Sequence, residues 1–178
     1  MDSFKEVEKR WKCDKKLLDK LSKLHPENTT IQKDAYFANI ALIESLRPKL
    51  NSFVLRVRDE DKEFVIFEFK GDAKDHWPEK SVKIPKKEFQ HLLGLLNIMG
   101  FENVANIKKL RKTFDHRLAK ITLDVVENLG TFVEIESKNG KLSDIEKVKT
   151  ELEISSPSQR GYLTQTLKGT RYEKYIRG

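Results

Sequence analysis

The 178 residues carry 35 Lys and Arg against 28 Asp and Glu, a formal net charge of +7, with 35% charged and 38% hydrophobic residues. Ten Phe, four Tyr, two Trp and many Leu, Ile and Val can build a core, which excludes wholesale disorder, and no apolar run approaches the ~18 residues of a membrane span. The single cysteine, Cys13, excludes an internal disulfide and a Cys-cluster metal site.

The N-terminal MDSFKEVEKR has no signal-peptide apolar region, so the expectation is a soluble, cytoplasmic protein. The length suits a single domain over 1–178, with a C-terminal helical segment from about residue 141. Lys and Arg alternate with Asp and Glu along the whole chain, with no zinc-finger spacing, RNP-like strand or helix-turn-helix pattern, which argues against nucleic acid as a partner.

The first predicted strand is Phe4 to Cys13, followed by a helix whose run KKLLDKLSKL is capped by Asp14. Asn28-Thr29-Thr30 reads as a loop, residues 31–37 as a short strand, and Ala38 to Leu50 as either a helical turn or a loop. A hairpin follows: Phe53 to Arg58, a turn at Asp59 to Lys62, and a return strand from Glu63 to Lys70. A short strand near Glu79 to Ile84 precedes Pro85, which suits the first turn of a helix carrying Phe89, Leu92, Leu93, Leu95, Leu96 and Met99 and stopping at Gly100. Residues 104–114 and 117–126 form a second hairpin turning at Asp115-His116, and Gly130 opens a strand TFVEIES that closes at Asn139-Gly140. Ser143 to Leu152 is helical in pattern with a Ser143/Glu146 capping box, and Gly161 to Tyr175 suggests one more helix. Eight strand candidates with interspersed helices make an α+β protein dominated by antiparallel pairs.

Residues of equal parity share a strand face. Glu6, Glu8 and Arg10 lie opposite Val7 and Trp11; Arg56 and Arg58 lie opposite Phe53, Leu55 and Val57; Glu68 and Lys70 lie opposite Val65, Phe67 and Phe69. Lys109 and Arg111 share a face, Asp124 lies opposite Leu123 and Val125, and Glu134 and Glu136 lie opposite Val133 and Ile135. Two arrangements satisfy this pattern. One is an ordinary half-buried sheet with its charged face in water. The other is a closed barrel with helices outside and charges inside, where carboxylates bind divalent metal and Arg and Lys bind phosphate oxygens. Periodicity does not choose between them.

The residues themselves resemble a family. Glu6-Val7-Glu8-Lys9-Arg10-Trp11 is similar to the ExExK signature of the CYTH superfamily, the triphosphate tunnel metalloenzymes, which include CyaB-type adenylyl cyclases, thiamine triphosphatases and inorganic triphosphatases. In order along the chain, Asp34-Ala35-Tyr36-Phe37 resembles the family's DxYF, Leu55-Arg56-Val57-Arg58 its LRxR, Phe69-Lys70-Gly71 its xKG and Met99-Gly100-Phe101 its LGF. Lys109-Leu110-Arg111 with Phe114 resembles KxRxxY, and Leu123-Asp124 followed by Leu129 to Glu136 resembles LDxVxxLGxFxEIE. The resemblance spans roughly residues 4–137.

It implies a closed eight-stranded antiparallel β-barrel, or tunnel, with helices packed outside, holding a triphosphate and Mg²⁺ or Mn²⁺. Carried over by motif, Glu6, Glu8, Glu134 and Glu136 would be metal ligands and Arg56, Arg58, Lys70, Lys109 and Arg111 would bind the triphosphate. Glu6, Glu8 and Arg10 would be the catalytic signature, with Glu79 and Asp124 as further candidates. Several positions depart from the pattern. Arg10 stands for the signature lysine, Glu68 for a frequent threonine, Glu79 is the sole remnant of a central RxExE strand, and Gly161-Tyr162 stands for a Ser-Tyr pair. The implied function is metal-dependent phosphohydrolysis of tripolyphosphate, thiamine triphosphate or ATP by a monomer or homodimer. The alternatives are a CyaB-type cyclase making cyclic AMP and pyrophosphate, and a catalytically impaired triphosphate- or polyphosphate-binding protein.

Other residues read as structural. His25, His76, His91 and His116 share no ligand spacing, with His91 expected on a helix surface; Cys13 is expected as a packing residue rather than a nucleophile, and Trp11 between sheet and helix. The basic residues from Lys168 to Arg177 are expected to form a solvated end.

Overall fold

The computed structural model describes residues 7–46, 53–71 and 79–176. Eight strands, β1 (Glu8–Lys12), β2 (Asn28–Ala38), β3 (Phe53–Asp59), β4 (Phe64–Gly71), β5 (Glu79–Pro85), β6 (Glu102–Asp115), β7 (Ala119–Val126) and β8 (Gly130–Ser137), form one sheet in the order β1-β8-β7-β6-β2-β3-β4-β5. The helices are α1 (Lys15–Ser22), α2 (Ile40–Leu46), α3 (Phe89–Ile98), α4 (Leu142–Glu151) and α5 (Tyr162–Thr166). The α+β class and the strand count follow the sequence pattern. Closure into a barrel does not: among the described residues the order runs from β1 to β5 and no pairing joins these two. The open edge of β1 is met instead by the segment after α4, through a bridge of Trp11 with Ser158 and a bond from the Gln159 N–H to the Arg10 carbonyl at 2.7 Å. Those contacts satisfy backbone groups that an exposed edge would leave unpaired.

The chain divides into two compact units, residues 1–31 with 109–161 and residues 32–108 with 162–178, with divisions within β2, within β6 and at the start of α5. In the first, α1 begins where Asp14 accepts a bond from the Leu17 N–H at 2.8 Å, the predicted cap. Leu17 and Leu21 of α1 and Ile145 and Val148 of α4 pack on Trp11, Phe114, Ile121, Leu123, Val133 and Ile135, the apolar side of β1, β6, β7 and β8. Trp11 is therefore between sheet and helices, as its position in the strand pattern predicts. The Ser143 capping box does not form: α4 starts after Lys141, and the buried Asp144 carboxylate accepts from Ser137 and Asn139. The Ser137 hydroxyl in turn accepts the Lys141 N–H at 2.9 Å, so the turn takes its hydrogen bonds from the end of β8.

In the second unit, Phe37, Val57, Val65 and Leu96 form the buried core, with Leu55, Phe67, Ile84, Phe89, Leu92 and Phe101 packed around it. β2, whose first four residues belong to the first unit, is longer than predicted. Asn28-Thr29-Thr30 is strand, since β-branched residues suit an extended chain and the ladder is opened by a bond from the Glu27 N–H to the Thr113 carbonyl. The ambiguous stretch after it becomes α2, where Asn39 accepts the Leu42 N–H at 2.9 Å. A 3-10 turn at Lys86–Glu88 follows Pro85 before α3 begins. Gly100 ends α3 with φ +78°, a backbone angle that L side chains rarely adopt. The predicted C-terminal helix is broken into α5 and a short 3-10 turn at Glu173–Tyr175, with Gly169 at φ +75° between them.

Candidate active site

The first unit gathers charge on the side of its strands away from the apolar core. Antiparallel register sets Glu8 opposite Glu136, Arg10 opposite Glu134, Thr122 opposite Glu134 and Arg111 opposite Asp124, so these side chains share one face. Glu134, buried, is gripped on one oxygen by Arg10 and on the other by Arg111, and accepts from the Thr122 hydroxyl at 3.3 Å. Asp124 is wholly buried and receives Arg111 as a two-point fork, Nε at 2.7 Å and Nη2 at 2.5 Å, with the Lys109 Nζ at 3.6 Å. Such planar two-point bonds give the charge-assisted geometry that buried ions need. Arg10 also stands 3.6 Å from Glu8 and donates to the Arg160 carbonyl at 3.4 Å.

The second unit repeats the device with other residues. Register places Asp34 opposite Arg58, Tyr36 opposite Arg56, and Arg56 opposite Glu68. Asp34, 2% exposed, accepts from Arg58 at 2.7 and 2.9 Å and lies 3.9 Å from Arg56, while Glu68 accepts from the Arg56 Nε. Burial works against the charged form of Arg56, but Tyr36, Asp34 and Glu68 outweigh it and hold its pKa well above the ordinary arginine value. Arg58 is likewise opposed by burial and raised on balance, chiefly through its bond to Asp34. Both guanidiniums are permanently cationic.

The structure thus brings Glu8, Arg10, Lys109, Arg111, Asp124, Glu134 and Glu136 together in one unit, and places Arg56 and Arg58 in the other. Glu6 lies outside the described residues, as do His76 and Trp77. Lys70 and Glu79 are register partners on β4 and β5. Three partners are not legible as such in the sequence: Asp34, which stands only within a motif, Glu68, which stands on the polar face of its strand and as a departure from the pattern, and Thr122. Each sits at the parity of a chosen charge on the neighbouring strand, and that signal becomes readable only once the register is known.

The donor chemistry bears on the implied divalent ion. The acidic face offers carboxylate oxygens without thiolate or imidazole, which suits a hard cation such as Mg²⁺ or Mn²⁺ that keeps several waters. Among the described residues no three Asp, Glu, His or Cys groups converge as a ready-made cluster, and both Glu134 oxygens are engaged by arginines. Glu8 and Glu136 are partly open to solvent, directly opposed across β1 and β8, and more lightly held. They fit a metal bound through a few carboxylates and completed by water and substrate oxygens.

The remaining candidates are structural. His91 is exposed and bonded to Glu88, and His116 to Glu151. Burial, followed by the charge of Asp14, pushes the Cys13 thiol up to about 11, away from nucleophilic use near neutrality. At the C-terminal end Arg171 pairs with Glu102 at 2.6 Å and Lys174 lies 3.6 Å from Glu44. Lys168, Arg171 and Lys174 are exposed, as expected, but the last two are partnered, Tyr172 is buried, and Arg177 lies outside the described residues.

Known proteins resemble this chain. A model of the CYTH domain matches residues 5–169. The chain belongs to the CYTH family. A Methanocaldococcus jannaschii protein named "Putative adenylate cyclase MJ0240" is 31% identical over 155 residues, covering 83% of this chain and 85% of its own. Among solved structures, the PH1819 protein of Pyrococcus horikoshii OT3 is 25% identical with a TM-score of 0.71, covering 92% of this chain and 98% of that one. The fold is shared as well, at 18% identity and a TM-score of 0.69, by a Hippeastrum protein described as a "putative adenylyl cyclase" with a dominant triphosphatase activity, over 93% of this chain and 95% of that one. Among the described residues no helix is long and apolar enough to cross a membrane.

Proposed function

We propose that this CYTH protein is a metal-dependent triphosphate-processing enzyme, acting as a phosphohydrolase on an inorganic or organic triphosphate such as tripolyphosphate, thiamine triphosphate or ATP. The observation that carries the reading is the pair of ionic clusters, each built from arginines held by buried carboxylates on a strand face that would otherwise be apolar or wet. Burying so many ions costs folding free energy, so a fold that only needed stability would do as well with apolar residues. Asp34 and Asp124 hold Arg58 and Arg111 in fixed directions, and planar guanidiniums so placed are the kind of donor that stabilises charge on a transferring phosphoryl group.

In this reading Arg56, Arg58 and Lys70 bind phosphate oxygens in one unit, and Lys109 and Arg111 do so in the other. Glu8 and Glu136, with Glu6, would hold a divalent ion, which when bound supplies positive charge on phosphate oxygens and lowers the pKa of a water. Glu134 joins that set only by releasing Arg10 or Arg111. Arg10 stays charged and so acts as an anchor for Glu134 and the Arg160 carbonyl rather than as a base. The test is phosphate release from tripolyphosphate, thiamine triphosphate and ATP with Mg²⁺ or Mn²⁺. Activity that survives Glu6→Gln with Glu8→Gln unchanged would remove the metal assignment.

A second reading is adenylyl cyclisation, favoured by the name of the M. jannaschii relative. It uses the same residues, with the ribose 3′-hydroxyl attacking the α-phosphorus and pyrophosphate leaving. Cyclic AMP among the products of ATP decides for it, and ADP with phosphate decides against it.

A further inference from the structure

Arg56 of β3 is held from two sides, by Glu68 of β4 at its Nε and by Asp34 of β2 at 3.9 Å from its Nη1. The two carboxylates are not equivalent. Asp34 is already committed to Arg58 through a two-point fork, and would remain to orient both arginines if Glu68 lost its charge. Glu68, buried and directly opposite Arg56 in the β3–β4 register, brings this described group to two carboxylates for two guanidiniums. Without it the group would carry one net positive charge. An anion approaching Arg56 therefore meets a like charge at the very group that should receive it, in surroundings that screen poorly.

We propose that Glu68 is a built-in counter-anion that occupies Arg56 when no ligand is bound and must be displaced from it by an incoming phosphate group. It thereby sets the anion affinity of this unit and favours polyanions, which bring enough charge to compete, over single phosphates. The proposal rests on the reading of Arg56 as a phosphate ligand. Removal of a carboxylate that was merely structural would loosen Arg56 and weaken binding, whereas removal of a competing anion strengthens it.

The experiment is calorimetric titration of the full chain with tripolyphosphate in metal-free buffer, comparing the native protein with Glu68→Gln and Glu68→Asp. The expected result is tightening by about tenfold or more in Glu68→Gln, with Glu68→Asp, which keeps the charge, close to the native protein. Should the glutamine variant fail to give a native circular-dichroism spectrum, Glu68→Thr carries the same expectation. Equal or weaker binding by the neutral variants, while the native protein binds, overturns the proposal and leaves the phosphate reading standing. Absence of binding by the native and neutral proteins alike, both in metal-free buffer and with Mn²⁺ added, overturns that reading and this proposal with it.

Discussion

The two ionic clusters solve one problem with different remainders. In the unit of β3 and β4, two guanidiniums are matched by Asp34 and Glu68, both buried. In the unit of β1, β7 and β8, Asp124 and Glu134 are engaged by Arg111, Lys109 and Arg10, while Glu8, 3.6 Å from Arg10, and Glu136, opposite Lys120 in the β7–β8 register, are more open to solvent. A cluster whose outer carboxylates are open to solvent can take up a cation; one whose acid is buried against arginine can accept an anion only by exchange. Similar residues in similar strands therefore come to suit opposite ligands.

The largest effect is expected where this comparison is broken at its roots. Asp34→Ala strips the buried Arg58 of its two-point partner and should cost about 3–5 kcal/mol, and Asp124→Ala, whose partner Arg111 is partly buried and keeps Glu134, should cost less, both read by urea unfolding. A loss below about 1 kcal/mol at either site would mean that the pair is solvated rather than buried. Next comes Arg58→Lys, which keeps charge but loses the fork. Tripolyphosphate affinity should fall by about tenfold while Asp34 stays paired; unchanged affinity would remove Arg58 from the phosphate-binding group.

Smaller still, and confined to one cluster, is the double change Glu8→Gln with Glu136→Gln. Mn²⁺ affinity, followed by the paramagnetic resonance of the free ion, should drop about tenfold, with stability nearly unaltered because both carboxylates are partly exposed. The same titration on Glu68→Gln should show little change, and a comparable loss there would erase the distinction between the clusters. The smallest effect is at Cys13. With its thiol raised from 9.0 to about 11, alkylation near pH 8 should be slower in the folded protein than in urea. The folded state holds that proton more tightly, so the contribution to stability is complete below pH 9 and is lost as pH rises toward 11.

How far the site could be read in advance depended on what each residue needed to be recognised. Arg56, Arg58, Glu134 and Asp124 could be placed on polar strand faces from parity alone, because alternation survives any choice of neighbour. Asp34 and Glu68 escaped because their importance lies in a cross-strand partner, and register is a property of two segments rather than one. The α4 cap shows the same limit. The local signal favoured Ser143, but Ser137 and Asp144, brought together at the end of β8, took over the hydrogen bonds.

What the sequence determined by itself was therefore the α+β class, the eight strands, the sorting of charge from apolar residues within each strand, and the motif order by which the family is recognised. What only the tertiary structure decided was which charge meets which. It placed Arg10 and Arg111 on Glu134, left Glu8 and Glu136 more open, and set Glu68 against Arg56. The physical reason is that a strand fixes the direction of its side chains over two residues, whereas the field at a buried ion comes from residues far away in the chain.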